Sequence, residues 1–146
     1  MSKSPNTAAA AAATGGVAVG GETGTKPTIT LPDGPPPDEL VVVDIVDGEG
    51  VQVPVGATVT THYVGVSWEN DGEQFDASWD RGTPIHFPLA GVIQGWTDGI
   101  PGMRVGGRRL LVIPPDQGYG AQSPTPAIAP NDTLVFVIDM IDATAP

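Results

Sequence analysis

The sequence predicts an α+β fold, an antiparallel sheet of about five strands wrapped over one short helix. Three observations support it. Residues 40–46, 59–66, 108–113 and 133–141 are runs too rich in Val, Ile, Leu and Thr to favour helix. Turn signals follow the first two, Asp47-Gly48-Glu49-Gly50 and Asn70-Asp71-Gly72. One stretch, residues 92–99, suits a helix, and Pro101 ends it because proline lacks an amide donor and clashes with the preceding turn.

Along the second run, Val59, Thr61 and Tyr63 share one face, and His62, Val64 and Val66 share the other. Gln74-Phe75-Asp76 resumes an extended segment after the turn. Residues 114–131, between the last two runs, contain five prolines and few apolar residues. A loop that long inside a compact domain is usually functional or disordered. The first 37 residues differ in kind. They hold an alanine run at 8–13, the pairs Gly15-Gly16 and Gly20-Gly21, the triple Pro35-Pro36-Pro37 and no aromatic residue. Their few aliphatics, Val17, Val19, Ile29 and Leu31, follow no sustained period, so little apolar surface is available to offset the entropy of ordering. The expected organisation is a disordered, dispensable tail over 1–37 and one folded domain over 38–146.

Charge and composition exclude several classes. The domain region carries four arginines against fifteen acids, so the whole net charge of −11 resides there. Phosphate backbones and anionic lipid repel such a surface, which argues against nucleic-acid or membrane binding. No stretch approaches a transmembrane span of ~20 apolar residues. The absence of cysteine removes disulfides, zinc–thiolate sites and thiol nucleophiles. His62 and His86 lack a third ligand at metal spacing, and Asp44, Asp47 and Glu49 lack the alternation of a calcium loop. No metal or cofactor is expected. Asn131-Asp132-Thr133 matches a glycosylation sequon, a pattern common by chance. The alanine run breaks at Thr14-Gly15-Gly16 before any Leu/Val-rich segment, so a cytoplasmic location is expected over export.

Nine short motifs follow one another through the domain: Tyr63-Val64-Gly65, Gln74-Phe75-Asp76-Ala77-Ser78, Asp80-Arg81, Phe87-Pro88-Leu89, Val92-Ile93-Gln94-Gly95-Trp96, Gly102-Met103-Arg104-Val105-Gly106, Ile113-Pro114-Pro115, Tyr119-Gly120-Ala121 and Leu134-Val135-Phe136. Each alone is weak; in this order and spacing they closely resemble the FKBP-type peptidyl-prolyl cis–trans isomerases, the immunophilins that bind tacrolimus and rapamycin. The resemblance implies a twisted half-barrel sheet around the short helix, and a pocket formed by Tyr63, Phe75, Asp76, Arg81, Val92, Ile93, Trp96, Tyr119, Ile128 and Phe136. It makes Trp96 the pocket floor. The Ile93 amide and the Tyr119 hydroxyl become candidates for holding substrate carbonyls, and Ile85 joins Phe75 and Ile128 in the wall.

Such a site is apolar for a chemical reason. Turning an X–Pro bond breaks amide resonance against a barrier of roughly 18–20 kcal/mol. The twisted state is less polar than the planar one and is favoured by a cavity that excludes water and fits its shape. No nucleophile, metal or cofactor is needed. The family role of Asp76, with Tyr63 and Arg81, is to orient and polarise, not to transfer a proton. The sequence departs from the family at Ile85 (usually phenylalanine), Pro124 (usually histidine) and Ala127 (usually a larger aliphatic), and the connection before Val92-Ile93 is about two residues shorter. The expected activity is isomerisation of proline-containing polypeptides by a monomer that also binds rapamycin or tacrolimus. The alternatives are a non-catalytic module gripping proline loops and, less in keeping with the short 117–131 loop, a holdase chaperone.

Overall fold

The computed structural model describes residues 15–146. In chain order these form β1 (Ala18–Gly20), β2 (Thr28–Thr30), β3 (Val41–Val46), β4 (Thr58–Ser67), β5 (Glu73–Ala77), α1 (Ser78–Arg81), β6 (Ile85–Pro88), α2 (Gln94–Gly99), β7 (Arg108–Ile113) and β8 (Leu134–Thr144). Strands β3 to β8 make one sheet in the order β3-β7-β8-β4-β5, with every pairing antiparallel. The long β4 also pairs with β6 through its first half, Thr58 to Thr61, and with β5 through its second, Val64 to Ser67. The runs read from sequence thus all appear as strands. Strand β6 and the four-residue α1 are additions.

The period-2 alternation sorts the core onto two faces. On one, Val59, Tyr63, Leu111, Ile113, Phe136 and Ile138 pack with Trp96 and Ile100 of the helical segment. Helix α2 lies close to the sheet because glycines face it. A Cβ on Gly95 would stand 2.6 Å from Ile113 side-chain atoms, and one on Gly99 would stand 2.8 Å from Leu111. Arg109 then fixes the far end of the helix, donating through Nη1 to the carbonyls of Gly99 (2.9 Å), Ile100 (3.4 Å) and Pro101 (3.2 Å). A cation at that end also complements the helix dipole. The guanidinium is held in turn by Asp44, Nε to Oδ1 at 2.7 Å.

On the opposite face the structure departs from the sequence-based boundary. Residues 15–37 were expected to be a loose tail; instead β1 and β2 form an antiparallel hairpin with Ala18 opposite Thr30. Val17, Val19, Ile29 and Leu31 pack against Val64, Val66, Leu110, Val112, Val135 and Val137. The alanine run at 8–13 lies outside the described residues. The hairpin stays because it covers an apolar sheet face and completes a buried ion pair. Arg108, fully buried, meets Asp139 through Nε–Oδ1 at 2.6 Å. Its remaining donors reach Gly21 O (3.3 Å) and Thr25 O (2.5 Å), and the Gly24 N–H donates to Asp139 Oδ2 at 3.0 Å. A buried pair is tolerable only when its spare donors and lone pairs are satisfied in this way. A chain beginning at residue 38 is therefore expected to melt about 10 °C lower than the full chain, equivalent to roughly 2 kcal/mol for a domain of this size. Calorimetry giving equal melting temperatures would show that the hairpin packs without stabilising.

Candidate active site

Between α2 and the sheet opens a cavity of about 670 Å³, lined by Tyr63, Phe75, Asp76, Phe87, Gly91, Val92, Ile93, Trp96, Tyr119, Pro124, Thr125, Ile128 and Phe136. Its floor is Trp96, only 3 % exposed. The indole is met edge-on by Phe87 (centroids 4.9 Å apart), Phe136 (5.3 Å) and Tyr63 (5.4 Å). Phe75 stacks edge-on against Phe136 at 5.4 Å. The T-shaped contacts suit the ring quadrupoles and lock the box in one arrangement. Gly65 on β4 makes room for it, since a Cβ there would fall 2.6 Å from Phe75 Cζ and 2.7 Å from Phe136 Cε1.

One rim is polar. Tyr63 Oη donates to Asp76 Oδ2, Arg81 Nη1 meets Asp76 Oδ1 at 2.6 Å, and Arg81 Nη2 donates to Tyr63 Oη at 3.1 Å. Burial pushes the Tyr63 phenol up to about 12, helped by its bond to the carboxylate. For Asp76 partial burial pulls upward, but hydrogen bonds from Arg81 and Tyr63 outweigh it and hold the carboxyl below its ordinary value. The Arg81 guanidinium is raised in turn by the same bonds. The triad is thus a fixed tyrosine–carboxylate–guanidinium unit, with no group poised to exchange a proton near neutrality. The other rim is backbone. Ile93 precedes α2, its carbonyl accepts Trp96 N–H at 3.0 Å, and no hydrogen bond engages its own N–H among the described residues. Tyr119 stands at the mouth, 39 % exposed.

Of the residues singled out from sequence, Tyr63, Phe75, Asp76, Val92, Ile93, Trp96, Tyr119, Ile128 and Phe136 come together around this cavity. Arg81 stands behind it, touching Asp76 and Tyr63. Ile85 is not in the lining. It pairs opposite Thr61 and packs into the core edge, while Phe87, two residues on along β6, brings its ring to Tyr63 and Trp96. Phe87, Gly91 and Thr125 are lining residues not assigned from sequence, although the alternation Ile85-His86-Phe87 places 85 and 87 on one face. A second cleft, about 760 Å³, lies between residues 29–36 and the turn at 68–72, and carries Asp33, Glu69 and Asp71 with Trp68 its sole aromatic. Among the described residues no cluster of His, Cys, Asp and Glu forms a metal site.

A sheet wrapped on a short helix, with an aromatic box over one indole and no metal or nucleophile in it, defines a prolyl-isomerase architecture. Comparison agrees. Residues 50–141 match the family model for FKBP-type peptidyl-prolyl cis-trans isomerase. A "Probable FK506-binding protein" of Corynebacterium glutamicum is 53% identical over 118 residues, 81% of this chain and 98% of that one. An "FK506-binding protein" of Streptomyces anulatus is 48% identical, spanning 80% of this chain and 95% of its own length. The crystal structure of FkpA from Escherichia coli superposes with a TM-score of 0.65 at 40% identity, covering 72% of this chain and 48% of that one. The chain belongs to the FKBP family, and it is a peptidyl-prolyl cis–trans isomerase that assists protein folding.

The depressed Asp76 carboxyl gives a signed expectation. Its contribution to stability is complete above the unfolded carboxylate value of ~3.9 and is lost as pH falls through the lower folded value. Neither it nor Tyr63 changes charge near neutrality, so kcat/KM is expected to be flat from about pH 5 to 9, where a general acid or base would bend it. A bell-shaped profile for a proline peptide over that range would contradict this.

Proposed function

We propose that the X–Pro bond turns over Trp96, driven by exclusion of water and by fit to the twisted prolyl ring, and that the same cavity takes tacrolimus or rapamycin. The observation that carries this is the indole floor, almost wholly buried beneath three edge-on aromatic rings at the base of an open cavity. A prolyl or pipecolinyl ring laid on it leaves water without displacing a hydrogen-bonded group. The Ile93 N–H is available to hold a carbonyl of the bound chain, and the Tyr119 hydroxyl reaches from the mouth as a second donor. The Tyr63–Asp76–Arg81 unit orients the near wall and presents a fixed field to the twisting amide, in keeping with electrostatic preorganisation. Family membership and relatives printed as FK506-binding proteins support the macrolide part.

Pro124 lines the cavity where the family usually carries histidine, and Ala127 trims the loop behind it, so affinity is expected about tenfold weaker than typical, ~1.4 kcal/mol. Ile85 lies outside the lining and is not expected to account for the difference. We take the working form to be a cytoplasmic monomer; the hairpin already covers the back of the sheet, and the exposed large apolar residues are scattered.

The test is calorimetric titration with rapamycin alongside an isomerisation assay on a proline peptide. Competitive inhibition with saturable binding is expected, and Trp96→Leu should lower both activity and affinity. A sample that isomerises the peptide at full rate but binds no macrolide at micromolar protein would overturn the macrolide assignment.

A further inference from the structure

The outer wall of the cavity is the part of the site that regular structure does not hold. Pro124, Thr125 and Ile128 all lie on the loop between β7 and β8. A wall displaced by even about 1 Å loses much of its power to position a substrate. The loop is nevertheless tied, and the ties run to the turn joining β4 to β5. Asn70 Nδ2 donates to Ala127 O at 2.7 Å. Asp132, 2 % exposed, accepts from the Ser67 hydroxyl, from Glu69 N–H at 3.0 Å and from Ala129 N–H at 2.9 Å. Ile128, 3 % exposed, therefore sits between two clamped neighbours, one held by its carbonyl and the other by its amide.

The turn is itself rigid. Gly72 N–H donates to Ser67 O at 2.7 Å, and Asn70 N–H donates to Ser67 Oγ at 3.1 Å. Asp71 and Gly72 both hold positive φ, 57° and 81°. Asn70 is thus presented by a fixed frame, and its amide is the one side-chain donor reaching from that frame to the wall's main chain among the described residues. We infer that Asn70 is a positioning residue for the isomerase reaction: through the Ala127 carbonyl it sets where Pro124, Thr125 and Ile128 stand, and so which residues flanking the proline are accepted. The box over Trp96 lies on the sheet and α2, so bond rotation itself does not depend on this tie. The inference rests on the cavity being the prolyl site.

Asn70→Asp is the informative change, because it is isosteric and replaces the donor with an acceptor facing a carbonyl. Asn70→Ala removes the tie without adding charge. Both variants, wild type and Trp96→Leu are assayed on proline peptides differing only in the residue before proline, with melting temperature measured in parallel. For both Asn70 variants KM is expected to rise about 3- to 10-fold with kcat within about twofold, the pattern of lost positioning of substrate. The spread of kcat/KM across the peptides should narrow, and the melting temperature should stay within about 3 °C, as for a change at a partly exposed site. Wild-type KM and selectivity in both Asn70 variants, with Trp96→Leu crippled, would show that the wall stands without Asn70. A uniform loss of kcat across all peptides, in step with lower melting temperature, would make Asn70 merely structural. Full activity in Trp96→Leu would instead place the site elsewhere. Each of these three results overturns the inference.

Discussion

The close approach of one six-residue helix to the sheet is the constraint on which the rest of the molecule depends. Gly95 and Gly99 have no side chain because Ile113 and Leu111 occupy that space. At such short range α2 cannot be held by burial of its own length, so Arg109 ties its last carbonyls and Asp44 ties Arg109. Trp96 is then the one large side chain the helix presents to the aromatic face. Tyr63 and Phe136 come from neighbouring strands and Phe87 from β6, and they meet over it because the bare Gly65 leaves room for the rings of Phe75 and Phe136.

That geometry separates two tasks. The box, made from sheet and helix, offers a dry surface of fixed shape. The polar unit at its rim is locked into one protonation state across the neutral range, since Tyr63 is pushed up to about 12 and Asp76 is held low. In the proposed mechanism this suits a reaction in which no proton moves and the carbonyl loses polarity as the bond twists. The opposite side of the sheet obeys a different necessity. Its apolar rows and the buried Arg108–Asp139 pair need a cover, and the hairpin supplies both aliphatic side chains and backbone polar groups.

The strands were legible because β-branched runs and turn residues are local signals. Arg108 to Ile113 matches β7 residue for residue. Helix α2 was legible from the proline behind it. The four-residue α1 and β6 were not, being shorter than one reliable period, and β6 ends in Pro88. Ile85 was placed in the wall by family position; the pairing register instead gives Phe87 that place. The hairpin was illegible for a stronger reason. Its two strands have three residues each, and the segment has no aromatic and no period, so nothing local favours it. Its stability comes from Val64, Leu110, Val135 and Arg108, all remote in sequence. Asn70 and Asp132 are likewise visible only once the fold brings the turn beside the loop, since 57 positions separate Asn70 from the carbonyl it holds.

The central claim is that the site works by shape and desolvation without moving a proton. The solvent isotope effect on kcat/KM for a proline peptide tests it most directly, because it reports protons in flight at the transition state. A ratio of rates in H2O and D2O close to one is expected. A reproducible ratio of about two or more, as a general acid or base in the transition state would give, would contradict the account.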